Sequence, residues 1–396
     1  MNKIFKVVWN RTIGSFVVTS ELAKGRVKSS SEGAEGDVRA SEEGRLKTLF
    51  RLTALSAALL GFSEGAWAVI PEGSLTGGVL SIGTGSTSAN GAGAMAIGHN
   101  AQVKINGGLA IAPNSTHTTI SNGNNAIAIG VNLRADGSKA IGIGADTTVN
   151  GISAIAIGNN DSGRMANQGV SGNGAIGVGS NLTVRGNNAI AVGTESQAKA
   201  SDAVAVGTGA QATLANSIAI GKNSVATGMY GTAALGRATA IGFNTQALGE
   251  DSVAIGSGVD ANAAALAQNR QSVALGWSAK ATGTTQAVAI GPDAQASGAQ
   301  STSIGNNTRA TGDSSIAIGG DDWDDAKKSV NTQYKKLTGS DMSSGYQGTT
   351  AATAAVAVGV KAQATGALST AFGPGTIASG LGASARSEEH TSELQS

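Results

Sequence analysis

The residues able to do chemistry are few, and their spacing does not suit it. His99 and His117 stand alone, with no Cys or carboxylate partner at ligand spacing. Surface turns account for both better than a metal site does. Ser is abundant, yet no Ser–His–Asp set stands out to make a nucleophile. Strings such as Gly83-Thr84-Gly85 and Gly207-Thr208-Gly209 could cradle a phosphate only if a strand preceded them and a helix followed. No helical periodicity follows any of them, so they read as turns. The run Asp321-Asp322-Trp323-Asp324-Asp325 lacks the spaced ligands and glycine of a calcium loop and reads as a solvated acidic turn. No catalytic, cofactor-binding or metal-binding residue is assigned, no cofactor is expected, and the chain is not expected to be an enzyme.

Recognition without catalysis has a better candidate. Past residue 68 the Trp and Tyr residues are Tyr230, Trp277, Trp323, Tyr334 and Tyr346. Three of these five fall between 320 and 350, in a stretch unlike its surroundings. Aromatics gathered in a non-repeating loop fit a binding hot spot, so Trp323, Tyr334 and Tyr346 are candidate ligand contacts. The alternative is that they pin the loop onto the rest of the molecule.

What surrounds that loop is a repeat. Ala126-Ile127-Ala128-Ile129-Gly130 is followed by Ala140-Ile141-Gly142-Ile143-Gly144 and Ala154-Ile155-Ala156-Ile157-Gly158. After a short insertion the series resumes at Gly179, Gly193, Gly207 and Gly221, and it continues to Gly373. A fixed period of this length denotes a solenoid. Within each unit, apolar residues alternate with small ones, which is the period of a strand. A second, weaker strand follows, as in Ala210-Gln211-Ala212 and Ala294-Gln295-Ala296. Two short strands and two turns make one flattened coil. The period differs from the six-residue β-helix of acyltransferases, and Asp is too irregular for a calcium-binding nonapeptide roll. The fold expected is all-β: a parallel β-roll over about 78–320 and again over 354–385. At 4.7–4.9 Å per coil, about 17 coils give a rod of roughly 80 Å before the insert.

One such roll is energetically thin. Two Ile or Val per coil contribute roughly 3–6 kcal/mol if fully buried. Ordering the backbone of one coil costs roughly 14–28 kcal/mol. Both strand faces carry apolar or small residues. One face can fill the interior; the other then needs a partner, so identical chains are expected to associate side by side. The row Ile127, Ile141, Ile155, Ile190, Val204, Ile218 and Val253 is expected to be buried, either inside the roll or between chains. Which face is which stays open at this point.

The chain has 396 residues, 59 Gly, 4 Pro and no Cys; 13% of it is charged, and the net charge is +1. Ile and Val recurring in register argue against a disordered tail. The balanced charge and the lack of a basic patch interleaved with aromatics give no support to nucleic-acid binding. Residues 1–68 differ in kind. Lys47 and Arg51 precede an apolar run over 52–62, and Ala66-Trp67-Ala68 has the small-x-small pattern of a signal-peptidase site. The run is too short to span a bilayer as a helix. Ahead of it sits Met1-Asn2-Lys3-Ile4, then Trp9-Asn10, then Ser20-Glu21-Leu22-Ala23. The segment is expected to form a signal helix detached from the roll.

These motifs together resemble the trimeric autotransporter adhesins of Gram-negative bacteria. Residues 1–25 look like the start of their extended signal peptide, and Asn216-Ser217-Ile218-Ala219-Ile220-Gly221 looks like the unit of the YadA-type head. Residues 320–354 resemble an insert of some such heads, through Gly319-Gly320-Asp321-Asp322 and Leu337-Thr338-Gly339-Ser340-Asp341. The resemblance implies a left-handed, homotrimeric parallel β-roll exported to the cell surface, a virulence-type adhesin that attaches to host matrix, cells or surfaces by multivalent binding. A spacer that displays another binding domain is the alternative. It also implies attachment to the outer membrane only through a stalk and anchor that this sequence does not contain. The expected divisions are an extended signal peptide (1–68), head (69–319), insert (320–354), continued head (355–385) and a tail (386–396) unrelated to the repeats. That tail looks like the translation of a sequencing-library adapter; the alternative is a natural acidic tail, and the coding DNA at the junction decides between them. Exported protein is expected to begin at Val69, after cleavage at Ala68. Amino-terminal sequencing checks this, and a start far from Val69 would remove the assignment.

Overall fold

Small and branched residues in strict alternation make short strands, and turns at a fixed interval return each strand to the same place one coil later. The computed structural model describes residues 5–10, 15–20, 78–113, 116–160, 169–230, 233–234, 236–260 and 262–387. The chain divides into two units, Met1–Val69 and Ile70–Ser396. In the first, strand β1 (Phe5–Asn10) pairs antiparallel with β2 (Ser15–Ser20), with Val7 opposite Val18 and Val8 opposite Val17. A helix was expected here, and the described residues form a hairpin instead. β-branched Val7, Val8, Val17, Val18 and Thr19 disfavour helix and favour an extended chain. The apolar run over 52–62 and the Ala66–Ala68 site lie outside the described residues.

The second unit is a parallel β-solenoid with two strands per coil. Among the described residues the Ala-Ile strands stack into one sheet, sheet I, and the weaker strands into another, sheet II, each with nineteen strands; one of those in sheet II, Ala233–Ala234, pairs antiparallel. In sheet I, Ile190 pairs with Val204 and Val204 with Ile218. In sheet II, Gln197 pairs with Gln211. Backbone bonds run from coil to coil, as from Val204 N–H to Ser217 C=O at 2.9 Å and from Asn188 N–H to Asn173 C=O at 2.8 Å. The strands before the insert stack to roughly 75 Å at the usual strand spacing.

The interior is made of alanine. Ala189, Ala191, Ala203, Ala205 and Ala219 of sheet I are fully buried against Ala198, Ala210 and Ala212 of sheet II. The Ile and Val between them point out of the roll. Of the two places open to the row from Ile127 to Val253, the interior is thereby ruled out: within one chain these side chains are half-buried on the outer surface. The physical reason is volume. Where sheet II sends in a larger side chain, sheet I gives up its Ala. A Cβ on Gly142 would lie 2.6 Å from Leu133 Cδ2, and one on Gly177 would lie 2.7 Å from Leu182 Cδ1 and from Val170 Cγ2. The Gly-for-Ala exchanges in the repeat are therefore packing compensations.

Left-handed corners recur every seven residues, at Asn188, Glu195, Asp202, Gly209, Asn216 and Asn223, with φ between 55° and 68°. Asn, Asp and Gly tolerate this region best. The periodic glycine after each Ala-Ile strand does a different job. Gly144 has φ 134°, and a Cβ there would sit 1.8 Å from the carbonyl oxygen of Gly158 in the next coil. Gly144→Ala is expected to cost on the order of 2–4 kcal/mol, from strained backbone and a displaced coil. Gly320, where nothing lies within 4 Å of an added Cβ, is the control: Gly320→Ala should leave chemical denaturation unchanged.

Candidate functional site

Two surfaces of the roll and one insert carry what the molecule can offer a partner. The first surface is the outer face of sheet I. Most strands present two aliphatic side chains there, such as Val204 and Val206, then Ile218 and Ile220. Every one of them is half-buried or exposed; Ile157 is 41% exposed and Ile255 40%. The face runs unbroken by any charge from Leu80 to Phe372. Ordinary soluble proteins do not leave a continuous apolar face of this length in water.

The second surface is the outer face of sheet II. Gln197, Gln211, Gln246, Gln295 and Gln363 occupy the same outward place in their coils, half-buried, interspersed with Thr, Lys and Arg. Aliphatic Ile120, Val225, Leu266 and Ile377 share that place, so the face is a mostly polar, uncharged or weakly cationic lattice with one contact set per coil.

The insert leaves sheet I after the strand Ile316–Gly319 and returns to sheet II at Thr350–Ala351, which pairs with Arg309 and Ala310. Its main element is helix α1 (Asp324–Thr338). Asp322 Oδ1 accepts the Asp324 N–H at 2.7 Å, acidic residues fill the first turn, and Lys335 and Lys336 lie in the last. These charges suit the helix dipole. Gly339, with φ 76°, ends the helix and donates to Lys335 C=O. The segment after the helix is stapled to it by Asn331, which donates to Asp341 Oδ1 and accepts from the Met342 N–H, both at 2.8 Å. Hydrogen bonds from Lys335 and Asn331 hold the Asp341 carboxyl below the usual carboxylate range.

The three aromatics are not equivalent. Trp323 is only 6% exposed. Its indole N–H donates to Ser343 C=O at 2.6 Å, and Tyr334 meets its ring edge-on at 5.8 Å. Over its face, 5.0 Å from the ring centre, sits the ammonium of Lys361. Lys361 belongs to the next coil, is 3% exposed, and donates to Gly345 C=O at 2.5 Å and Ser343 C=O at 3.4 Å. Trp323 and Lys361 thus clamp the insert to the roll. Tyr346, at 76% exposed, stands clear in solvent. Sequence reasoning named the aromatics but missed Lys361, whose signal is a Lys at a corner mostly held by Asn, Asp or Ser. The acidic run also differs from expectation at one end. Asp321 is buried, and its carboxylate accepts from Asn306 at 2.6 Å and Asn307 at 3.2 Å. Two amide donors one coil away stand in for water there.

His99 and His117 lie in turns, each beside a Thr hydroxyl. Among the described residues no group of three or more His, Asp or Glu could hold a metal ion. Among them, too, no helix is long and apolar enough to cross a membrane.

A two-sheet solenoid with an alanine core and an outward aliphatic ladder defines the class: a repeat protein with a lateral apolar face. Residues 1–49 match the Extended Signal Peptide of Type V secretion system. The YadA head domain repeat matches residues 89–111, 135–160, 185–210, 212–234, 236–258, 267–294, 285–308, 296–321, 351–376 and 364–385, more than half of the chain. The chain belongs to the YadA-type head family of the trimeric autotransporter adhesins. The family is one of structural adhesins, and the extended signal peptide marks a secreted, cell-surface protein.

Replacing Trp323 by Ala, or Lys361 by Met, is expected to release the insert while the coils stay folded. Limited proteolysis should then cut within 324–346 at least about tenfold faster, with the sheet signal in circular dichroism retained. Equal loss of insert protection and sheet signal would show that the clamp holds the roll itself.

Proposed function

We propose that this chain is the head of a surface adhesin that works as a homotrimer. It holds host matrix molecules, cell surfaces or abiotic surfaces by many weak contacts, without catalysis and without a cofactor. The observation that carries the reading is the uncharged aliphatic face of sheet I. Removing it from water stabilises association, with roughly 1.5–3 kcal/mol for each Ile or Val fully covered. A closed ring of copies, each giving the same face, covers every such face at once. The polar faces of sheet II then point outward, and each contact on them repeats once per coil and again in each copy. Avidity of this kind exceeds any single contact. In this reading Tyr346 adds an exposed aromatic contact from the insert, whereas Trp323 and Tyr334 support it from beneath.

Two measurements test the reading. Ile218→Asp places a carboxylate on the outer face, where one chain tolerates it and a packed interface does not. Its association is expected to weaken at least about a hundredfold, near 3 kcal/mol, with the sheet signal kept. Sedimentation of the unmodified chain as a monomer at micromolar concentration would end the trimer proposal. Separately, the purified head should retain matrix proteins or glycans, and Tyr346→Ala should weaken that retention by about 1 kcal/mol or more. A head that binds none of the matrix proteins, glycans and abiotic surfaces offered is a spacer instead.

A further inference from the structure

A periodic interface has an inherent fault: it fits nearly as well after a slip. The aliphatic face repeats over eighteen described strands of sheet I, from Leu80 to Phe372, so moving one copy along the roll by one strand forfeits one layer of contact in eighteen. The same regularity says what covers the face. Over its whole length only a partner with the same repeat can match it, which is another copy of this chain. Nothing in the alternation of Ile and Val distinguishes the correct alignment from its neighbours.

Three residues do. The first of the two outward positions is aliphatic from Leu80 through Ile218 and then becomes Thr239, between Ile218 and Val253. It becomes Thr again at Thr302, between Val288 and Ile316, and at Thr370, between Val356 and Ser384. Thr239 and Thr302 are half-buried and Thr370 is exposed. Among the described residues their hydroxyls make no hydrogen bond. By contrast, the interior Thr119 and Thr245 each donate to a glycine carbonyl at 2.6 Å. From Thr239 to Thr302 is four strands of sheet I, and from Thr302 to Thr370 is three. The separations four, three and seven all differ, so no shift other than zero brings every Thr level with another Thr. A one-strand slip sets Thr370 level with Ser384 but leaves Thr239 and Thr302 among Val and Ile.

We propose that Thr239, Thr302 and Thr370 set the axial register in which copies of this chain associate. In register, three hydroxyls share one layer and can satisfy one another. After any slip, hydroxyls are carried into aliphatic layers and lose water without gaining a partner. This is the role of a polar residue placed in an apolar seam, which trades stability for a unique alignment. The proposal rests on the self-association reading above.

The chain has no Cys, so engineered ones report cleanly. Val206→Cys and Ile220→Cys lie on neighbouring strands, directly paired within one chain. The two variants are unfolded, mixed, refolded together and oxidised, and the disulfide-linked peptides are counted by mass spectrometry. Like pairs report correct register, and mixed pairs report a one-strand slip. The same is done in a background of Thr239→Val, Thr302→Val and Thr370→Val, which keeps shape and removes only the hydroxyls. Sedimentation is run on both. We expect both to form the same oligomer, with the ratio of mixed to like pairs rising at least about tenfold when the threonines are removed. An unchanged ratio in an intact oligomer overturns the register proposal and leaves self-association standing. Monomers in both backgrounds overturn the two together.

Discussion

The interior of the roll is one alanine deep from each sheet, and most other features of the molecule follow from that limit. A coil this thin holds no Ile, so the branched residues needed to make strands are sent outward. It holds a Leu or Val only where the facing strand has lost its Cβ, as at Gly142 and Gly177. Stacked coils approach so closely at the periodic glycine that an added methyl would meet the next carbonyl. The aliphatic face is therefore the consequence of a core that has no room for it. A chain built this way is complete as a stack of hydrogen bonds and incomplete as a hydrophobic object.

Polar groups fill the gaps that apolar burial leaves. The small side chain that opens each strand is often Ser or Thr, and its hydroxyl turns back to a corner carbonyl, as Ser196 does to Gly193 and Ser252 to Gly249. Corner side chains bridge coils as well: Asn132 to Asp146 at 2.7 Å, and Gln300 to Gln286 to Gln271 at 3.1 Å each. Where the chain makes an extra excursion near Tyr230, the anchor is charged. Buried Glu250 receives Arg237 and Arg270, and its backbone N–H donates to Met229 C=O. Arg237 also grips Asp251, and that hydrogen bond holds the Asp251 carboxyl below its ordinary range. The hydroxyls act within a corner; the amide and charged devices act between neighbouring coils, which is the range over which a solenoid is cohesive.

This locality explains what could be read from the residues alone. Period two within a unit and the 14-residue spacing between units are both short-range, and both sheets were legible from Ala126-Ile127-Ala128-Ile129-Gly130 and its successors. The direction of the faces was not, because Ala and Ile are both apolar and either could line a core. The deciding comparison is between strands: Leu133 opposite Gly142, or Leu182 opposite Gly177, fixes the inside by volume. The insert was legible as a break in the period and as a cluster of aromatics. Its attachment was not, because Lys361 lies in the following coil, where it reads as one more corner residue. The hairpin near Trp9 was misjudged because its Val-rich strands sit within a segment whose role as a leader suggested a helix.

The insert shows how such a fold can grow a new element without disturbing its strand ladders. It departs after Gly319 and rejoins at Thr350, yet Ile316, Ala317 and Ile318 still pair with Val356, Ala357 and Val358 as if nothing lay between. The ladder is unaffected because its bonds join one coil to the next, and the inserted residues take no part in the pairing of those two strands. Corners can therefore grow, as here and near Tyr230, while the outer face of sheet I keeps its layers. The growth must still be tied down, and the clamp of Trp323 under Lys361 does so using the coil beyond the break. An exposed side chain such as Tyr346 is then free to vary, since neither the alanine core nor the aliphatic face depends on it. The volume limit of the alanine core binds the strands, and the corners are exempt from it.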